Sequence, residues 1–175
     1  MLYQRWPVQV ASEVPTIARE HQKAAHGKYM FPHCPGMIDY AQMGYIIPAW
    51  TDIKIKANKA GVVVGIGAEN TRRNFLPPQR MEEKIVEGFF TPQDGVPFRA
   101  HKLTSPWNVV TANNISAILV APTYHATWGA DLHIWPGIVD YQNLSDTHVI
   151  FSAKRECEVL IKTGEPLLHV LPFYN

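Results

Sequence analysis

Asp52-Ile53-Lys54-Ile55-Lys56-Ala57, followed by Asn58-Lys59-Ala60-Gly61 and by Val62-Val63-Val64-Gly65-Ile66, is the stretch whose reading decides the fold class. Its first six residues alternate polar and apolar, so a two-residue period puts Ile53, Ile55 and Ala57 on one face and Lys54 and Lys56 on the other. A strand with one dry and one wet face belongs in an antiparallel sheet, because strands of a buried parallel sheet read as unbroken apolar runs. Asn58 to Gly61 is a turn signal, and the β-branched run after it reads as the second arm of a hairpin. Just upstream, Tyr45-Ile46-Ile47-Pro48-Ala49-Trp50 reads as a further strand.

Working outward, the last third of the chain is dense in the same signals. Strands are expected over Trp107 to Thr111, Ile115 to Ala121, Leu132 to Trp135, Thr147 to Ser152, Glu158 to Lys162 and Leu167 to Phe173, with turns between them at short intervals. The middle, residues 67–106, reads as a loop-rich insertion over the sheet, with Pro77-Pro78 ahead of a short helix from Gln79 to Glu87. Residues 1–43 read as an N-terminal extension with a short helix over Thr16 to His26. A helical turn through Met37, Ile38, Tyr40 and Ala41 follows, closed by Gly44. Many short strands without long helices between them argue for a sandwich or small barrel, not for βαβ units. The expectation is one mainly β, antiparallel domain over residues 1–175 with a few short helices.

Composition agrees and narrows the function. At 175 residues and 46% hydrophobic the chain can bury a core without disulfides or a structural metal. Sixteen basic residues against 15 acidic leave a formal charge of +1, with no long run of either sign, so no strong nucleic-acid surface is advertised. No apolar run approaches the ~20 residues of a membrane span, and Met1-Leu2-Tyr3-Gln4-Arg5-Trp6-Pro7 lacks the apolar stretch of a signal peptide. A soluble protein of a reducing compartment is expected. Cys34 and Cys157 are too far apart for a zinc or dithiol motif and read as separate free thiols.

Several residues invite a chemical reading. Asp131 and His133 have the two-residue spacing that projects two metal ligands from one strand face, beside His125 and with His148 or His169 as distal candidates. The usual order of histidine before carboxylate is reversed, and no complete ligand set can be assembled, so no bound metal or other cofactor is expected. Gly61 to Gly67 contains a glycine pair after a strand, but Asn70 stands where a dinucleotide loop needs its third glycine. Arg72, Arg73 and Arg80 in the insertion are candidate phosphate partners, otherwise a solvated face. Trp107, Trp128 and Trp135, near strand ends, are candidate interface residues, with core packing as the ordinary alternative.

Trp135-Pro136-Gly137-Ile138-Val139-Asp140-Tyr141, the strand Thr147 to Ser152, and Val159-Leu160-Ile161-Lys162-Thr163-Gly164-Glu165-Pro166-Leu167-Leu168-His169-Val170-Leu171-Pro172-Phe173 together resemble the C-terminal half of dUTPases and dCTP deaminases. The resemblance covers roughly forty residues and implies a β-clip-like scaffold, with tight turns at Gly137 and Gly164. It also implies that Asp140 stands where that family positions the attacking water, with Tyr141 following one or two residues early. The serine-rich phosphate motif of dUTPases is absent from the middle of the chain. From Cys34 onward, Cys34-Pro35-Gly36-Met37-Ile38-Asp39, Gly44-Tyr45-Ile46-Ile47-Pro48, Ser105-Pro106-Trp107, Gly137-Ile138-Val139-Asp140 and Gly164-Glu165-Pro166-Leu167 resemble a family of phage and bacterial proteins without an assigned activity.

Two functional readings follow. The first is a non-enzymatic phage-type protein, a virion component or an accessory assembly module in the virion or the host cytoplasm. It would associate with itself, as a trimer by analogy with β-clip relatives, and with other virion proteins. The second is a divergent dUTPase-like enzyme that binds or hydrolyses nucleotides with magnesium, Asp140 activating water and Arg72, Arg73 or Arg80 holding phosphate beside Tyr141. The first is preferred, because the second rests on one aspartate and a fold analogy.

Overall fold

The alternating stretch is a strand whose Ile53, Ile55 and Ala57 are buried and whose Lys54 and Lys56 are exposed. It sits in a computed structural model that describes residues 2–4, 35–67, 78–81, 93, 95–97, 99–109, 111–123, 126–144 and 146–174. The elements are β1 (Leu2–Gln4), helix α1 (Pro35–Gln42), β2 (Tyr45–Pro48), β3 (Ile53–Asn58), β4 (Gly61–Ile66), β5 (Gln79–Arg80) and β6 (Ala100–Val109). They continue as β7 (Ile115–Val120), β8 (Leu132–Ile134), β9 (Gly137–Val139), β10 (Asp146–Ala153), β11 (Cys157–Ile161) and β12 (Pro166–Tyr174). Strand makes up 56% of the described residues and helix 7%, so the class is mainly β.

Among the described residues all strand pairings are antiparallel, in three sheets. One runs β1-β6-β10-β8, with β5 also on β6; the second runs β11-β3-β4; the third runs β2-β12-β7-β9. Among the described residues no sheet closes into a barrel, and the arrangement is consistent with a β-sandwich. Inward residues of all three sheets, among them Ile47, Ile53, Ile55, Leu103, Leu119, Val149, Phe151, Ile161 and Leu168, form one apolar cluster. The hairpin at Asn58 forms as its residues suggest: the Asn58 carboxamide oxygen accepts the N–H groups of Ala60 and Gly61.

Two strand pairs turn the corner between sheets together. β2 pairs β12 in one sheet and β3 pairs β11 in the next, so the chain crosses between them twice, at residues 49–52 and 162–165. Backbone groups that leave a ladder need other partners. Here Ala49 N–H donates to the Glu165 carbonyl, Gly164 N–H to the Ala49 carbonyl and Gly67 N–H to the Asp52 carbonyl, each at 2.8 Å. The Asp52 carboxylate accepts both the N–H and the hydroxyl of Thr163, each at 2.9 Å. Those bonds, the backbone one first, hold the Asp52 carboxyl below its ordinary pKa, with the nearby Lys162 adding a smaller pull.

The strand β12 is buried on both faces from Leu167 to Leu171, so something must cover the side away from the core. That cover is α1 and the residues after it. His169, fully buried, donates from Nε2 to the Met43 carbonyl at 2.6 Å, and its ring meets Tyr40 edge-on at 5.2 Å. Burial pushes the His169 ring below its ordinary pKa, as expected for a neutral imidazole donor. Gly44 ends the segment with φ +75°, and a Cβ there would lie 2.1 Å from the Val170 carbonyl oxygen.

The structure corrects the reading at four places. The segment 67–106 is not loop throughout: its last seven residues belong to β6, with His101, Leu103, Ser105 and Trp107 inward. Inward His101 and Ser105 hide the alternation from a hydropathy reading. Pro106 also argues against a strand, yet it falls where the β6–β10 register shifts, and a missing N–H is harmless in such a bulge. Gln79–Arg80 is a strand on β6, not the start of a helix; residues 82–87 of that expected helix lie outside the described residues. Gly137 is a strand residue with no positive φ and open space at its Cβ, whereas Gly164 does make a turn, at φ +90°. Leu2–Gln4 of the N-terminal segment is an edge strand on β6, while the helix expected over Thr16 to His26 lies outside the described residues.

Two outcomes follow. Gly44→Ala should lose more than about 2 kcal/mol in denaturant titrations, from left-handed strain plus the backbone clash, while Gly137→Ala should stay within about 0.5 kcal/mol of wild type. A carboxyl depressed on folding stabilises the protein above its unfolded pKa and loses that contribution as pH falls through the folded value. Melting temperature should therefore decline between about pH 5 and pH 2, and part of that decline should be missing in Asp52→Asn.

Candidate functional site

The turn after β9 holds the residue on which the functional readings divide. Asp140 Oδ1 accepts the Gln142 N–H at 2.9 Å, and Oδ2 accepts the Asn143 side-chain amide at 2.7 Å. The Asp140 carbonyl takes the N–H groups of Asn143 and Leu144. An aspartate that folds back on the backbone two residues on is the ordinary builder of such a turn. Tyr141 points inward: it is buried, its hydroxyl bonds the Thr147 hydroxyl at 2.9 Å, and burial raises its pKa against the opposing effect of that bond. The phenol therefore fastens the turn to the first residues of β10.

Beside this turn lies an apolar cleft of about 400 Å³ between β9 and β10, lined by Leu119, Trp135, Ile138, Leu144, Asp146 and His148 among others. Trp135 is held there by its indole N–H on the Ser152 hydroxyl at 2.9 Å and by an edge contact with His133 at 4.7 Å. Trp107 and Trp128 are core residues, 5% and 4% exposed, so of the three tryptophans only Trp135 keeps appreciable exposed surface.

A second cleft, of about 370 Å³, opens at the other end of the same ladder. It lies between the β3–β4 hairpin and β5–β6 and is lined by Lys56, Asn58, Val62, Arg80, Arg99 and His101 among others. Arg80 reaches it because β5 sets Arg80 opposite His101 on β6. His101 is 7% exposed and stacks on Phe151 at 5.7 Å; its Nδ1 has no hydrogen-bond partner among the described residues. Burial lowers the His101 pKa, with Arg80 and Arg99 adding to that and the Arg99 backbone opposing it. Arg72 and Arg73 lie outside the described residues.

Arg80 and Asp140 do not come together within one chain. Arg80 faces His101, while Tyr141 is tied to Thr147, next to the Asp146 that pairs with Asn108. His101 and Asn108 are about 23 Å apart along β6 at roughly 3.3 Å per residue. The metal candidates disperse as well. Asp131 binds Arg155 at 2.7 Å and His133 packs on Trp135; no group of three or more His, Cys, Asp or Glu is placed to hold a metal among the described residues. Cys34 and His125 lie outside those residues, and burial pushes the Cys157 thiol up, away from reactivity.

No protein-family model and no curated protein matches the chain. The reading from sequence did not place Lys56, Arg99 and His101 beside Arg80 in one cleft. Nothing in their spacing marks them, since strand register alone collects them. For the turn, Asp140→Asn retains an acceptor for Gln142 but puts an amide against the Asn143 amide. The expected loss is about 0.5–1.5 kcal/mol, read by thermal or chemical unfolding.

Proposed function

We propose that the protein is a non-enzymatic binding and assembly module on a β-sandwich scaffold, a phage virion component or an accessory protein acting in the host cytoplasm. The observation that carries this reading is the Asp140 carboxylate: both its oxygens are engaged in its own turn, and no cation of the second cleft stands near it. A water-activating base needs its lone pairs directed at substrate and a phosphate partner within reach. Support for assembly comes from the sheet edges. Among the described residues β9 and β4 end their sheets, and they present Ile138 at 71% and Val63 at 70% exposure. Leu144, 59% exposed, lines the same cleft as Ile138 and widens that apolar patch. Unpaired edges and contiguous exposed apolar side chains are what self-association uses.

The expected state is a homotrimer that buries the β9 edge. Sedimentation equilibrium at micromolar concentration should report a trimer for wild type and a monomer for Ile138→Lys with an unchanged circular dichroism spectrum; a wild-type monomer overturns the assembly reading. The enzyme reading is tested alongside. Deoxynucleoside triphosphates with magnesium should not turn over above background, and turnover that vanishes in Asp140→Asn at unchanged melting temperature would make the protein a dUTPase-like enzyme instead.

A further inference from the structure

We draw no further inference here: the strongest candidate, the apolar cleft between β9 and β10 walled by Trp135, Ile138 and Leu144, belongs to the patch that the assembly reading already uses, and nothing in the structure shows what covers it.

Discussion

Asp52 holding Thr163 is the contact on which the layout of the sheets depends. The β2–β12 pair and the β3–β11 pair are successive lengths of the same two chain segments, bent between sheets. At such a bend the ladder is interrupted, and every released N–H and carbonyl has to find another partner or remain costly. The crossing bonds among Ala49, Glu165 and Gly164 satisfy the backbone, while the Asp52 carboxylate gathers the N–H and hydroxyl of Thr163. The corner also sets phase. A slip of one residue there would turn Ile53, Ile55, Val159 and Ile161 to solvent and put Lys54 and Glu158, which form an ion pair on the outer face, into the core.

The second constraint comes from the strand that leaves the corner. From Leu167 to Leu171 β12 has no wet face, so Leu168 and Val170 pack into the core while His169 and Leu171 face the segment that begins with α1. A histidine at the centre of such a strand is costly unless its ring is hydrogen-bonded, and the Met43 carbonyl takes the Nε2–H. The carbonyl is in reach because Gly44 lets the backbone come against Val170 where no side chain could fit. Gly44 and the buried His169 imidazole thus tie the end of the short helix to β12.

The parts legible in the sequence are those where local chemistry and tertiary need agree. The β3–β4 hairpin, β7, β10, β11 and β12 each carry a plain alternation or an apolar run bounded by turn residues, and each forms close to its expected limits. Strand β6 escapes because its inward face mixes Leu103 and Trp107 with His101 and Ser105, and because Pro106 sits in a bulge that no local rule announces. Strand β9 escapes for a different reason: Gly137-Ile138-Val139 reads equally as a turn, and only pairing with Ala117, Ile118 and Leu119 makes it a strand. Asp140 was legible as a singular residue, whereas what its carboxylate bonds to was not. That Lys56, Arg99 and His101 line one cleft with Arg80 was not legible at all, because strand pairing and not sequence spacing collects them.

Strand pairing is also how a nearly neutral chain comes to hold a basic cleft. Charge counts average over the molecule, but a sheet places residues by pairing, and the pairing of β5 with β6 puts Arg80 beside His101 and Arg99 at the foot of the hairpin that carries Lys56. The cleft lies at one end of the β6–β10 ladder, while the Asp140 turn, bonded within itself, closes the other. The separation follows from the length of β6, and it keeps the chemistry of the two ends independent within a single chain.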